Sequence, residues 1–144
     1  MDILAKHICR AKRIDNNEWT YGYYVALPEE YSHKKDIVHA IFTPECEHIC
    51  MGEYKDNGWY EVDGKSVGRY TGLEDKNLKP IFEYDIVKNS KGEIGEIGYY
   101  VNRRAGMSFT VAYTTNYDMI MGVISKDIEI IGNKFDNPEL IDSI

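Results

Sequence analysis

The sequence predicts a mainly β protein with little helix, built as a small barrel or sandwich. The 144 residues include 12 tyrosines and 12 glycines but only 4 prolines, a composition typical of strands joined by tight turns. Short apolar segments recur at spacings of roughly 8–12 residues, as in small all-β domains. No apolar pattern with a helical period extends beyond about three turns.

The first 63 residues are predicted to form an N-terminal β-rich region. An opening hairpin joins residues 3–13 to residues 19–27, because Asp15, Asn16 and Asn17 between them are typical turn residues. Further strands of this region are expected at residues 37–42, 45–51 and 59–62.

Residues 64–144 are predicted to form a second β region, which begins near Gly64 without a flexible linker. Its strands are expected at residues 67–71, 81–88, 94–101, 107–113, 117–124 and 127–131. Gly95 and Gly98 lie inside one of these strands and predict a bend or bulge, as at the corner of a small barrel. A short helical turn is predicted to begin with Asn137 as its cap and Pro138 in its first position.

The charge and the cysteine content restrict the class of protein. The net charge of −7 repels phosphate backbones and anionic lipid on average, although residues 1–14 carry a local net charge of +3. An odd number of cysteines, 3, fits a reducing cytoplasm. The N-terminus lacks the pattern of a signal peptide, and no apolar run approaches 18 residues. We therefore expect a cytoplasmic protein without a membrane partner.

The stretch at residues 70–87, which reads YTGLEDKNLKPIFEYDIV, resembles the signature of the YopX family. The usual pattern of that family is Tyr-Thr-Gly-Leu, an Asp-Lys-Asn-Gly turn, and an aromatic-Glu-Gly-Asp-Ile-Val entry into a strand. Residues 10–16 together with Trp19 and residues 21–23 are similar to the opening hairpin of the family. Residues 130–140 are similar to its closing segment, so the resemblance covers nearly the whole chain.

The resemblance implies a phage or prophage protein whose C-terminal part is a small β-barrel of SH3-like type, packed with an N-terminal β-hairpin region. It brings no catalytic residues, because no molecular function is settled for the family. Leu78 and Tyr84 depart from the pattern, since both stand where the family usually has glycine. Glycine at such positions supplies a positive φ, a conformation that strains bulkier residues.

A metal site is the first candidate, at Cys46, His48 and Cys50, with His39 or His33 as a fourth ligand. On an extended strand these three side chains share a face but span about 13 Å, which is too far for one ion. The alternative is a half-buried strand in which cysteine acts as a small hydrophobe. A Cys–His nucleophile built from Cys46 or Cys50 with His39 lacks any local signature. We therefore predict no metal, no cofactor and no catalytic residue.

Four carboxylates form the second candidate, because paired carboxylates serve acid–base chemistry or bind divalent cations. Lys76 and Lys79 lie between them, which favours a solvated turn instead. Asp85 at the entry of a strand is expected to accept backbone hydrogen bonds. The four residues are Glu74, Asp75, Glu83 and Asp85.

Basic residues form the third candidate, a nucleic-acid surface. One part is the opening strand, and the other is a hairpin turn beside Tyr99 and Tyr100, since basic tips with aromatic neighbours bind phosphate and stack bases. The acidic chain as a whole weighs against this alternative. The residues concerned are Lys6, Arg10, Lys12, Arg13, Arg103 and Arg104.

The favoured hypothesis is a non-catalytic, oligomeric binding module of the YopX type. Trp19, Trp59 and the tyrosines at positions 21, 23 and 24 belong to the core or to an interface. Most are expected in the core, and a surplus over what one small core can bury favours a homo-oligomer. A phage or host protein is a further expected partner. Nucleic-acid binding is retained as the alternative function.

Overall fold

The computed structural model describes residues 7–28, 36–43, 58–102, 106–114, 116–120 and 122–141. It confirms the mainly β fold, with antiparallel strands throughout the described residues. The chain divides into two compact units, Met1–Arg69 and Tyr70–Ile144. The sequence predicts this division between residues 63 and 64.

The N-terminal unit is a sheet of short antiparallel strands. Its order is β4-β3-β2-β1, and the first two residues of β5 pair with β1 through Cys9–Arg69 and Arg10–Gly68. The strands are β1 (Cys9–Lys12), β2 (Trp19–Leu27), β3 (Val38–Phe42), β4 (Trp59–Glu61) and β5 (Gly68–Glu74).

The core of the N-terminal unit lies on one face of this sheet. Cys9 and Ala11 alternate along β1 and pack with Ile41 and Val62. The short 3₁₀ helix Gly64–Ser66 is attached to the end of β1, because the Ser66 hydroxyl accepts a hydrogen bond from the Lys12 N–H at 2.8 Å.

The C-terminal unit contains a five-stranded sheet of order β10-β9-β8-β7-β11, while β6 pairs with β5. Its core is built from side chains that are fully buried: Ile81, Val87, Ile97, Val111 and Ile128. The elements are β6 (Pro80–Phe82), β7 (Asp85–Lys88), β8 (Ile94–Asn102), β9 (Gly106–Ala112), β10 (Tyr117–Met119), α1 (Gly122–Ser125), β11 (Glu129–Asn133) and the 3₁₀ helix Pro138–Leu140.

This sheet does not close into a barrel within the described residues, since its pairing ends at β10 on one side and β11 on the other. The outer edge of β11 is covered by a turn instead of a strand. The Ile130 N–H donates to the Asp75 carboxylate at 3.0 Å, and the Lys76 N–H donates to the Ile128 carbonyl at 3.0 Å. The small β fold that the resemblance implies is present as an open sheet.

Gly95 and Gly98 do not produce the predicted bulge, because the pairing of β8 with β9 runs through residues 96–102 without a shift. The glycines allow close packing instead. A Cβ on Gly95 would lie 2.6 Å from a Val111 methyl group, and one on Gly98 would lie 2.4 Å from the Tyr100 ring. Register shifts occur in β5 and β11.

Two predicted strands are each divided in the structure. Residues 81–88 contain a turn at Glu83 and Tyr84, although Phe82, Ile86 and Val87 are buried as expected. Residues 117–124 comprise β10 and the start of α1.

The predicted helical turn at Asn137 is the 3₁₀ helix Pro138–Leu140. Asn137 does not cap this helix with its side chain. Its Oδ1 atom accepts a hydrogen bond from the Asn133 N–H at 3.2 Å, which closes the preceding turn.

Candidate functional site

The buried carboxylate of Asp75 organises the turn between β5 and β6. Its Oδ1 atom accepts hydrogen bonds from the N–H groups of Asn77 at 2.8 Å and Lys79 at 2.9 Å. Its Oδ2 atom accepts one from the Ile130 N–H at 3.0 Å. Asp75 is only 2% exposed. Its carboxylate oxygen atoms accept hydrogen bonds from the backbone of its own chain and therefore present little surface to a substrate.

Asp85 plays a similar part at the entry of β7. Its Oδ2 atom accepts a hydrogen bond from the Phe82 N–H at 2.8 Å, and its side chain is buried. This bond confirms the expectation that Asp85 accepts a backbone hydrogen bond in the turn. Both Asp75 and Asp85 therefore accept backbone hydrogen bonds inside the fold.

The cations of β1 lie against aromatic rings. Arg10 and Lys12 alternate with the core residues of the strand, and both approach the Trp19 ring, at 4.6 Å and 5.3 Å from its centroid. Arg10 is only 8% exposed. A guanidinium buried to this extent has little surface to offer a phosphate group.

Arg13 contacts both an aromatic ring and a carboxylate. Its guanidinium lies 3.8 Å from the centroid of the Tyr60 ring, and its Nε atom donates to Asp15 at 2.9 Å. The hydrogen bond to Asp15 raises the pKa of Arg13 and lowers the pKa of Asp15. Of the other predicted phosphate contacts, Lys6, Arg103 and Arg104 lie outside the described residues.

The predicted metal ligands Cys46, His48, Cys50 and His33 also lie outside the described residues. His39 is described, and its Nδ1 atom lies 2.5 Å from the hydroxyl of Tyr24. No group of three or more His, Cys, Asp or Glu side chains that could hold a metal ion occurs in the part of the chain that the structure describes.

The β8–β9 hairpin extends beyond the rest of its sheet. β7 pairs with β8 only at residues 94–96, and β10 pairs with β9 only at residues 110–112. Residues 98–102 and 106–109 therefore pair with each other alone among the described strands. The register places Tyr99 opposite Phe109 and Val101 opposite Met107, all on one face.

A cleft of about 490 Å³ lies at the base of this hairpin. Burial raises the pKa of the Tyr113 phenol. A hydrogen bond with Asn89 lowers this pKa, whereas the negative charges of Asp118, Glu93 and Asp127 raise it further. The cleft is lined by Asn89, Tyr113, Asp118, Ile124, Lys126 and Asp127.

The sequence predicted the strand at residues 107–113 but neither the exposed end of the hairpin nor the cleft. The apolar positions 97, 99 and 101 were a usable signal, because they continue the alternation into the turn. The cleft had no signal in the sequence, since its lining comes from three separate segments.

The family model of the YopX protein matches residues 9–142. The chain belongs to the YopX family. The match includes both compact units and the turn that Asp75 organises. No curated protein matched the chain. Within the residues that the structure describes, no helix is long and apolar enough to cross a membrane.

The two departures from the YopX pattern, Leu78 and Tyr84, both adopt a left-handed backbone conformation. Their φ values are 64° and 72°, the region that glycine enters without strain. The turn between β5 and β6, which contains Leu78, and the turn between β6 and β7, which contains Tyr84, therefore both keep the shape for which glycine is suited. A left-handed conformation costs a non-glycine residue about 1–2 kcal/mol.

The two strained residues differ in what their side chains contribute. Leu78 is 76% exposed. The Tyr84 ring packs edge-on against Phe135 at 5.4 Å, and the Lys134 ammonium lies 5.7 Å from its centroid. Tyr84 thus holds the closing segment of the YopX chain against the turn, which offsets its backbone strain.

We expect Asp75→Asn to lower the free energy of unfolding by about 1–3 kcal/mol, because one oxygen that accepts a backbone N–H becomes a donor. Urea denaturation followed by circular dichroism measures the change. The control is Glu129→Gln, which removes the charge that pairs with Lys76 at 3.4 Å but keeps an oxygen that can accept the hydrogen bond from the Asn77 amide at 3.4 Å, and it should change stability by less than about 0.5 kcal/mol. Equal effects of the two substitutions would contradict the structural role of Asp75.

Leu78→Gly should raise the free energy of unfolding by up to about 1 kcal/mol, since the relief of left-handed strain exceeds the entropic cost of glycine. Leu78→Ala keeps a Cβ atom in the same conformation and should change little. Tyr84→Gly should give no gain, because the contacts with Phe135 and Lys134 are lost. This account would be contradicted if Leu78→Ala raised the free energy of unfolding while Leu78→Gly left it unchanged.

The raised pKa of Tyr113 predicts a loss of stability at alkaline pH. The neutral phenol is favoured in the fold, so its contribution is complete below the ordinary tyrosine pKa of about 10 and is lost as the pH rises through the folded value. Tyr113→Phe should flatten the decline of the melting temperature above about pH 10. Tyr100→Phe, at an exposed ring, is the control and should leave the decline unchanged.

Proposed function

We propose that this YopX protein is a non-catalytic binding module that self-associates, is encoded by a phage or prophage, and acts in the bacterial cytoplasm. The observation that carries the proposal is the exposure of large apolar side chains on strands. Val101 is 73% exposed and Met107 is 52% exposed, and they face the same way at the end of the β8–β9 hairpin. Clustered apolar exposure of this kind marks interaction surfaces.

A second set of exposed side chains lies on β2. Tyr21 and Val25, which share one face of the strand, are 47% and 37% exposed, and Tyr24 on the opposite face is 37% exposed. Aromatic side chains with one polar end are enriched at protein interfaces, because they bury a large area at low entropic cost. The N-terminal unit therefore offers an additional surface for a phage or host protein.

The non-catalytic part of the proposal is supported by how the polar groups of the signature turn are used. The carboxylates of Asp75 and Asp85 accept backbone hydrogen bonds inside the fold. A catalytic acid or base has to reach the reacting atoms of a bound substrate. The most prominent carboxylates of the family signature do not meet that requirement.

The alternative function, nucleic-acid binding, has weaker support. Arg10 is buried and Arg13 is paired with Asp15. The chain also carries a net charge of −7. Electrostatic attraction to a phosphate backbone is therefore small for a single copy.

Sedimentation velocity of the full chain over about 1–100 µM should show a mass above that of one 16.7 kDa chain, because the proposed contact buries apolar surface. A monomer over the whole range would overturn the proposed self-association. A gel-shift assay with single- and double-stranded DNA and RNA at low salt tests the alternative. A salt-sensitive shift that Arg103→Ala with Arg104→Ala removes would favour nucleic-acid binding and contradict the proposal.

A further inference from the structure

The cleft beside Tyr113 is walled by three turns of the C-terminal unit. The first turn lies between β7 and β8 and carries Asn89, and the second lies between β9 and β10 and begins at Tyr113. The third follows α1 and carries Lys126 and Asp127, while Asp118 of β10 also lines the cleft. Its volume of about 490 Å³ lies in the range of about 300–1,000 Å³ that is typical of small-molecule sites.

Hydrogen bonds hold the three turns in place. The Asn89 Oδ1 atom accepts two backbone N–H groups of its own turn, at 2.9 Å and 3.0 Å. A hydrogen bond joins the Asn89 side chain to the Tyr113 phenol, and the Ser90 hydroxyl donates to Asp127 Oδ2 at 3.2 Å. The first turn is thus attached to the other two. The walls are therefore formed in advance, and a ligand does not have to order them.

The carboxylate of Asp118 lacks a partner in this cleft. Asp118 pairs with Val111 in the sheet and therefore lies on the same face as that fully buried side chain. It is half-buried, yet none of the described residues donates a hydrogen bond to its carboxylate or forms an ion pair with it. A carboxylate that is partly removed from water and unpaired gains free energy when a cation approaches.

Negative charge exceeds positive charge around the cleft. The carboxylates of Asp118 and Asp127 line it against one ammonium group, that of the exposed Lys126. A third carboxylate, that of Glu93, lines an adjoining cleft of about 260 Å³ that shares Tyr113. A cationic ligand is therefore attracted, and an anionic ligand is repelled.

We propose that this cleft binds a linear aliphatic diamine or polyamine. Asp118 and Asp127 come from separate segments of the chain, so each accepts one ammonium group of the ligand. The alkyl chain between the ammonium groups contacts the apolar surface that Tyr113 and Ile124 contribute to the same lining. An inorganic cation gains nothing from that surface. Such a site works in a single copy of the chain, so it is independent of the proposed self-association.

The first test is an NMR titration of the ¹⁵N-labelled full chain with 1,4-diaminobutane at constant ionic strength. The backbone amide signals of residues 89–93, 116–118 and 124–127 should shift and reach a plateau in about the millimolar range, as expected for so small a ligand. 1-Butylamine, which has one ammonium group, should bind about threefold more weakly because one ion pair is lost. Butyrate, which has the same chain length and a negative charge, should not bind.

The second test uses substitutions that change the charge of the cleft in opposite directions. Asp118→Asn should weaken the binding of 1,4-diaminobutane by about threefold to tenfold, and Lys126→Gln should strengthen it by about twofold to fivefold. The matched control is Glu139→Gln, which removes an exposed carboxylate of the same unit that is not part of the lining and should leave the affinity unchanged. The melting temperature shows whether each variant folds, and Asp127→Asn replaces Asp118→Asn if the latter does not.

Several results would overturn the proposal. Saturable shifts of the same signals with calcium chloride would assign the cleft to an inorganic cation, and tighter binding of Nα-acetyl-lysine N-methylamide would assign it to a protein side chain. Equal losses of affinity in Asp118→Asn and Glu139→Gln would mean that only the net charge of the chain attracts the amine. With no saturable shift, Asp118 would serve only as an inward charge that protects the edge strand β10 from pairing. None of these results bears on the self-association, which sedimentation velocity tests separately.

Discussion

The carboxylate of Asp75 is the constraint on which the C-terminal unit depends. Three backbone N–H groups, from two segments more than fifty residues apart in sequence, donate to its two oxygen atoms. The turn after β5 is thereby fixed in shape and attached to the outer edge of β11. This attachment covers an edge that would otherwise present free backbone groups.

The hydrogen bonds of Asp75 and Asp85 also explain how the two turns on either side of β6 tolerate unfavourable residues. Leu78 and Tyr84 keep left-handed backbone conformations although neither is glycine. A strained residue persists where its surroundings determine the backbone more strongly than its own preference. Here the hydrogen bonds of Asp75 and Asp85 on either side determine the path of the chain. The glycines of the YopX pattern are thus a preference and not a requirement for the turns that contain Leu78 and Tyr84.

The hairpin of β8 and β9 illustrates the opposite situation. Among the described strands its outer half pairs only within the hairpin, and the Ile120 N–H donates to the Phe109 carbonyl at 3.0 Å where this half begins. Apolar side chains within the sheet reach the core, those two residues farther along the same face are half-buried, and those four residues farther are exposed. A surface of this kind is stable in water but gains free energy when another apolar surface covers it. The proposed binding function of this YopX protein follows from that imbalance.

The sequence by itself determined the β class, the positions of most strands, the family and the structural use of Asp85, because alternation and turn residues are local signals. It also marked Leu78 and Tyr84 as unusual, although not that both keep a positive φ. The open sheet, the three hydrogen bonds of Asp75, the close packing of Gly95 against Val111, and the cleft beside Tyr113 required the tertiary structure. Each depends on segments distant in sequence, and no periodicity in one segment specifies which other segment will lie against it.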